Sequence, residues 1–230
     1  MANVAFLIRI LIPTFSLFIL FKYFSLYIAL LGMVSVAYFL LKEFGFIGKI
    51  EIRKFSFYMS TAYIKDYRGP YNKSYIAYNA ANKILKHDKS KRMTIIGLYF
   101  DKADLPNPRY SVGFLFKKKH FEDKIDGDFK SFLISEGYKE YEFPSTLSLY
   151  SSWTYSNLIS MFNGIKKFYD TLNKKLDDFD FISEMKLNKN FTPKVCIEEY
   201  VDSEINFFVP LNAQDKFLVY GGYDNTEHKE

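Results

Sequence analysis

Apolar positions are concentrated at the start of the chain. Between residues 4 and 41 only Arg9 and Lys22 carry a charge, and the run over residues 24–41 contains none. An uncharged apolar run of this length suits a helix that crosses the hydrocarbon core of a bilayer, which takes roughly 20 residues. The pattern therefore predicts a transmembrane helix over residues 23–42.

The apolar segment over residues 1–22 has two interpretations. It contains Arg9 and Pro13, and very few residues separate it from the predicted span. So short a connection favours a single span, with the first segment lying at the membrane interface and Arg9 reaching the headgroups. The alternative is that both segments cross the membrane as a two-helix hairpin.

Basic residues lie mainly on one side of the predicted span. Lys42, Lys49, Arg53 and Lys54 follow it, whereas only two cations precede it. The positive-inside rule then places the rest of the chain in the cytosol. The single cysteine, Cys196, agrees with this orientation, because a lumenal domain of this size more often carries paired cysteines.

After residue 48 the pattern changes to short strands and amphipathic helices. Residues 48–117 predict the order strand, helix, strand, strand, with the helix over Tyr75 to Leu85. Residues 138–212 repeat that order, with a helix over Ser156 to Leu176 that places apolar side chains on one face and lysines on the other. Two tandem βαββ repeats are thus predicted.

Two such repeats predict an α+β domain over residues 48–212. The sheets of the two repeats are expected to face each other across a shared groove. The segment over residues 213–230 is expected to add a short strand, from Lys216 to Tyr220, and a tail.

Motifs for catalysis or metal binding are absent from the sequence. Its three histidines are scattered, and it has no HExxH, CxxC, G-x-S-x-G, Walker A or GxGxxG pattern. The net charge of +5 comes from dispersed lysines rather than from a basic face with interleaved aromatics. We therefore expect no enzymatic activity, no metal or other cofactor, and no direct contact with nucleic acid.

Two local patterns in the predicted domain are Pro193-x-x-x-x-Glu198-x-Tyr200 and the following Phe208-Val209-Pro210-Leu211. They resemble the GyrI-like domain, also called the effector-binding domain. Further patterns within residues 24–212 are Gly45-Phe-Ile-Gly48-Lys-Ile-Glu-Ile52, Gly69-x-Tyr71, Leu98-Tyr99-Phe100-Asp101, Leu105-Pro106 and Ser111-Val112-Gly113. Through these the chain is similar, within that superfamily, to the testis-expressed protein two-sixty-four group of endoplasmic reticulum (ER) membrane proteins.

The resemblance implies a ligand site between the two repeats. GyrI-like domains bind small, often cationic amphiphilic molecules there, using a glutamate on a C-terminal strand and surrounding aromatic residues. Glu198 matches the glutamate, and Tyr200 follows it. Trp153, Tyr67 and Tyr99 are candidate wall residues, because they are large aromatics at predicted strand ends that could attract a cation through their ring faces.

The neighbouring Glu199 leaves the register of this site open. Alternation along a strand sends adjacent side chains to opposite faces, so one of Glu198 and Glu199 is expected to face solvent. A catalytic role for Glu198 is a further alternative, because some GyrI-like relatives are hydrolases that use a glutamate.

The narrower resemblance implies an adaptor in the ER membrane, with the lipid bilayer as one partner and the globular domain in the cytosol. The implied roles are ER-phagy, through ubiquitin-like autophagy proteins, and work with the p97 segregase, including at the nuclear envelope. The long acidic tail that carries the autophagy motif of that group is missing after residue 220, so contact with autophagy proteins is expected to be indirect. The alternative function is a membrane-tethered protein that binds a cationic amphiphile.

Overall fold

The computed structural model describes residues 2–23, 26–88, 92–102, 104–117 and 125–219. The chain divides into two compact units. The hairpin unit comprises residues 1–50 and 153–173, and the sheet unit comprises residues 51–152 and 174–230. The helices and strands in chain order are α1 (Ala2–Tyr23), α2 (Leu26–Glu43), β1 (Arg53–Phe57), β2 (Ser60–Arg68), α3 (Tyr75–Leu85), β3 (Met93–Tyr99), β4 (Arg109–Lys117), α4 (Gly127–Ser135), β5 (Lys139–Phe143), β6 (Thr146–Thr154), α5 (Leu158–Leu176), α6 (Phe179–Glu184), β7 (Cys196–Val201) and β8 (Glu204–Pro210).

The first two helices pack against each other in the hairpin unit. On α2, the half-buried positions recur every four residues at Gly32, Val36 and Leu40, which is the spacing of one helix face. A methyl group added at Gly32 would touch the side chain of Leu17 on α1. This seam is the shielded part of the two helices, and most of their other described side chains are exposed.

The transmembrane helix predicted over residues 23–42 is not supported. Among the described residues, no helix is long and apolar enough to cross a membrane. Within α2, 16 of the 18 residues are uncharged, and the last two are Lys42 and Glu43. Residues 24 and 25 of the predicted span lie outside the described residues.

The strands of both predicted repeats join in one antiparallel sheet. Its order is β1-β6-β8-β7-β3-β4-β2-β5. The expectation of two sheets facing each other is therefore wrong, because the innermost strands of the repeats, β3 and β7, hydrogen-bond to each other and make the sheet continuous. The mixed α+β architecture agrees with the predicted fold class.

Each repeat has four strands rather than the three predicted, and the first strand of each repeat is exchanged. Strand β1 comes from the first half of the chain but pairs with β6 of the second. Strand β5 comes from the second half but pairs with β2 of the first. The two halves of the sheet are thus tied together at both edges as well as at the centre.

Apolar side chains cover both faces of the sheet. One face, which we call the tyrosine face, carries Tyr63, Ile95, Val112 and Phe114, and α3 packs in the same cluster through Ala77 and Ala81. The opposite face carries a second buried cluster, whose members include Phe57, Ile96, Leu115, Ile197 and Phe208. Central strands in such a sheet are buried on both sides, which matters for the two adjacent glutamates of β7.

Several elements differ from the pattern-based prediction. Helix α3 has the predicted bounds, and the strand predicted over residues 139–153 is divided at Pro144 into β5 and β6. Helices α4 and α6 are not predicted by the apolar spacing. Instead of the strand predicted from Lys216, residues Gln214–Phe217 form a short 3-10 helix, and Tyr220 lies outside the described residues.

Candidate functional site

Glu198 lies at the centre of the sheet, where the two repeats meet. It sits on β7 directly opposite Gly97 of β3. Its side chain points to the tyrosine face, and only 1% of the residue is exposed to solvent. A carboxylate so deeply buried loses most of its hydration, so the groups around it determine its chemistry.

Three tyrosines surround this carboxylate. The hydroxyl of Tyr200 donates a hydrogen bond of 2.6 Å to Oε2 of Glu198. The ring of Tyr78, from α3, lies 4.8 Å from the ring of Tyr200, and its hydroxyl is 3.0 Å from that of Tyr99. Tyr78 can approach so closely because residue 97 is a glycine, and a methyl group there would collide with the Tyr78 hydroxyl.

A second group of tyrosines extends this cluster along the sheet. The ring of Tyr71 lies 4.9 Å from that of Tyr99, and Tyr110 stacks between Tyr99 and Tyr67 at centroid distances of 6.3 and 5.6 Å. The Tyr71 hydroxyl donates to the carbonyl oxygen of Asp101 at 2.9 Å, which fixes its ring. We call Glu198 and the six tyrosines the tyrosine site.

The phenols of the inner tyrosines are held in their neutral form. Burial, followed by the charges of neighbouring groups including Glu198, raises the pKa of Tyr78, Tyr99 and Tyr200 well above its usual range. Neutral phenols keep their protons as hydrogen-bond donors and keep electron-rich ring faces. Both properties suit the recognition of a cation beside a carboxylate.

The adjacent Glu199 points to the opposite face and has different partners. Its carboxylate accepts hydrogen bonds from the Thr94 hydroxyl at 2.8 Å and the Asn206 amide at 3.4 Å, and it lies 2.7 Å from Nζ of Lys117. Burial and the charge of Glu199 raise the pKa of Tyr58 far above its usual range. Glu199 is 0% exposed, so the expectation that one of the two glutamates faces solvent is wrong. The sheet is covered on both faces, and alternation therefore buries both side chains.

The structure brings together four of the five predicted site residues. Glu198, Tyr200 and Tyr99 lie at the centre of the tyrosine site, and Tyr67 lies at its outer end. Trp153 belongs to the hairpin unit, where its indole N–H donates to the Ser160 carbonyl at 2.9 Å. Whether any of these residues binds a ligand stays a prediction.

Sequence reasoning missed Tyr78, although it faces the centre of the site. The available signal is its position next to Ala77, in a helix whose other buried residue is Ala81. Two alanines one turn apart allow a helix to approach a sheet closely. Tyr78, which is next to Ala77, then packs directly against the strands.

A cavity of about 380 Å³ lies elsewhere in the sheet unit and is a weaker candidate. Its lining residues are His87, Asp88, Ile125, Asp126, Asp128, Phe129 and Phe132. The carboxylate of Asp126 already accepts a hydrogen bond from the backbone N–H of Asp128, as the cap of α4. No group of three or more histidine, cysteine, aspartate or glutamate side chains in the described part of the chain is arranged to hold a metal ion.

The fold is similar to several solved structures. The C-terminal domain of EcmrR is 11% identical, and the match covers 70% of this chain and 96% of that one at a TM-score of 0.44. SAV2435 bound to tetraphenylphosphonium is 10% identical, with coverage of 72% and 96% and a TM-score of 0.40. A hydrolase from Listeria innocua is 10% identical, with coverage of 72% and 94% and a TM-score of 0.40. Likeness at this level carries no argument about function.

No family model matches the chain, and no curated protein matches it.

Proposed function

We propose that this protein binds a small organic cation at the tyrosine site. The observation that carries the proposal is a carboxylate, Glu198, that is almost completely buried and enclosed by tyrosine rings. The neutral phenol of Tyr200 donates a hydrogen bond to this carboxylate. A cation compensates a buried negative charge better than a neutral donor does.

The tyrosine rings supply the second part of the recognition. Except for the buried Tyr110, the tyrosines of the site are half-buried, so their ring surfaces are in part accessible. A cation over such a ring gains about 0.5–2 kcal/mol, depending on how far it is desolvated. A ligand that combines positive charge with an apolar body would use both the rings and the carboxylate.

The test is titration calorimetry with tetraphenylphosphonium, the ligand in one of the similar structures, and with neutral triphenylphosphine oxide. We expect binding of the cation and at least tenfold weaker binding of the neutral compound. In Glu198→Gln, affinity for the cation should fall at least about fivefold. Removing one unit charge about 4 Å away costs about 1–4 kcal/mol for effective dielectric constants between about 80 and 20.

Glu199→Gln is the matched control for this experiment. It makes the same chemical change one residue away, on the opposite face, and should alter the affinity less than twofold. Equal weakening by the two variants, equal binding of the two compounds, or no binding of the cation would each refute the proposal.

A second proposal concerns the hairpin unit, which we infer associates with lipid. The supporting observation is the exposed apolar surface of α1 and α2, on which Phe15, Phe18, Tyr27 and Val34 are each more than two-thirds exposed. The hydroxyls of Thr14, Ser16 and Ser35 donate to carbonyl oxygens one turn earlier in their own helices. Such internal hydrogen bonding lets these polar side chains lie in an apolar medium.

Lipid is favoured over a protein partner because the exposed apolar positions of α2 lie on several sides of the helix rather than along one stripe. Flotation with phosphatidylcholine vesicles tests this attachment, and a chain that stays at the bottom of the gradient would refute it. The predicted ER location, the cytosolic orientation, the adaptor role with autophagy proteins or p97, and the absence of enzymatic activity stay predictions.

A further inference from the structure

The first turns of α5 expose apolar side chains outside the α1–α2 pair. Leu158, Ile159 and Phe162 are 69%, 50% and 53% exposed, respectively. Their spacing places them on one face of the helix. Phe46, which follows α2 in the same hairpin unit, is 57% exposed. We call these four side chains the apolar rim.

The apolar rim is held beside the C-terminal end of α2 by hydrogen bonds. The side chains of Ser156 and Asn157 both donate to the carbonyl oxygen of Glu43, at 2.8 and 2.9 Å. Asn163 donates to the carbonyl oxygen of Phe44 at 2.7 Å. Carbonyl groups at the end of a helix have no partner within the helix, so these donors satisfy them and fix α5 against α2.

Lys167 and Trp153 lock the segment after α2 in the same way. Nζ of Lys167 donates to the carbonyl oxygens of Phe46 and Gly48, at 2.9 and 3.0 Å, and lies 5.1 Å from the Trp153 ring. Gly48 has a φ of +141°, and a side chain there would collide with Trp153. Phe46 is thus kept near the apolar turns of α5 by a tightly fitted segment.

Polarity changes along the exposed face of α5. Beyond Phe162, the same face continues with Lys166 and then Asp170, both exposed. The distance from Phe162 to Asp170 along the axis is about 12 Å, at 1.5 Å per residue. The face therefore passes from fully apolar to charged over a distance comparable with the roughly 5–10 Å to which interfacial helices enter a bilayer.

We propose that the apolar rim is a second lipid contact, in which Leu158, Ile159, Phe162 and Phe46 enter the headgroup–acyl boundary beside the α1–α2 pair. The inference rests on the proposed attachment of the hairpin unit to lipid and adds a defined depth and orientation for α5. Lys166 would lie at the level of the lipid phosphates, where its ammonium group is stabilised by their negative charge.

The test compares two labels on the exposed face of α5 in the full chain. Cys196→Ser removes the native thiol, and Phe162→Cys or Asp170→Cys then provides one site for an environment-sensitive fluorophore. Each protein is mixed with phosphatidylcholine vesicles that contain a nitroxide-labelled lipid. We expect a blue shift and strong quenching for the label at 162, and a water-like spectrum with little quenching for the label at 170.

Vesicle flotation of the same samples separates the two proposals. Flotation with equal quenching at 162 and 170 would overturn the rim contact and leave the hairpin attachment in place. A chain that does not float overturns both. A blue shift of the label at 162 that grows with the amount of protein bound per vesicle, without quenching by the nitroxide lipid, would show contact with a second copy of the chain. That result would also overturn the inference. If the Phe162→Cys variant fails to fold, the measurement is repeated with the fluorophore attached to the Ile159→Cys variant.

Discussion

The ion pair on the face opposite the tyrosine site offers a sharp test of how the two glutamates differ. We consider Glu199→Gln, Lys117→Met and the double variant, with Glu198→Gln as the comparison. The Lys117 ammonium lies 2.7 Å from a Glu199 carboxylate oxygen, and the side chains are 39% and 1% exposed. Thr94 and Asn206 are the neutral donors to the same carboxylate.

The distance sets the scale of the interaction. At 2.7 Å, two unit charges attract by about 1.5 kcal/mol at the dielectric constant of water and by about 6 kcal/mol at an effective value of 20. Because Lys117 is more than one-third exposed, solvent screening moves the net value toward the lower limit. We expect a coupling energy of about 1.5–2 kcal/mol between the two residues.

The single variants should differ in how much they lower the free energy of unfolding. Lys117→Met leaves the buried Glu199 charge with the neutral donors Thr94 and Asn206, and should lower the free energy of unfolding by about 3 kcal/mol. Glu199→Gln should cost about 1–2 kcal/mol, because it loses the charge but can still accept from Thr94. Glu198→Gln should change stability by less than about 1 kcal/mol, since the amide oxygen can accept from Tyr200 and a buried charge is removed.

Urea unfolding followed by circular dichroism measures the free energy of unfolding of the unsubstituted protein and of each variant. The double variant completes the cycle from which the coupling energy is calculated. A coupling energy below about 0.5 kcal/mol would contradict the reasoning, because the pair would then add nothing beyond its separate side chains. So would a loss from Glu198→Gln as large as that from Glu199→Gln, which would show that the two carboxylates have equivalent surroundings.

Two further predictions concern the tyrosine site. In the folded state the pKa of Tyr78, Tyr99 and Tyr200 is raised, so above pH about 10, where tyrosines of the unfolded chain ionise, the unfolded state binds fewer protons. The contribution of these tyrosines to stability should therefore be constant below that pH and fall above it, by up to about 1.4 kcal/mol per pH unit for each tyrosine. Unfolding free energies from urea titrations that do not change between pH about 9 and about 11, one unit either side of the usual tyrosine pKa of about 10, would contradict this. Gly97→Ala should displace Tyr78, lower stability by about 1–3 kcal/mol and weaken cation binding, whereas Gly127→Ala, where an added methyl group meets nothing, should leave both unchanged.

Local patterns predict the elements of this fold better than their arrangement. The bounds of α3 and the β7–β8 hairpin follow from apolar spacing and turn residues, which act over a few positions. The exchange of β1 and β5 between the two halves depends on pairs such as Arg53 with Tyr150, almost a hundred residues apart. No spacing rule within one segment encodes such a pairing, and the single continuous sheet was missed for that reason.

The candidate site shows the same limit in more detail. Glu198 and Tyr200 are two residues apart on one strand, so the strand period alone places them on the same face. That both Glu198 and Glu199 are buried depends on covering layers contributed by distant parts of the chain. Helices α4 and α6 were also missed, because they are short and have few buried side chains in a repeating pattern.

The position of Glu198 shows how the two repeats of the fold together form the tyrosine site. The sheet is symmetric about its centre, because equivalent strands of the two repeats occupy equivalent positions on either side. Strand β7 corresponds to β3, β8 to β4, β6 to β2 and β1 to β5. At the centre this correspondence is broken, because one strand carries Glu198 and its partner carries Gly97. The glycine leaves the space that Tyr78 fills. Next to the carboxylate, the first repeat therefore supplies Tyr78 and Tyr99, and the second supplies Glu198 with Tyr200. The tyrosine site, with its negatively charged carboxylate, thus forms only where the two repeats join. Neither repeat contains the whole site.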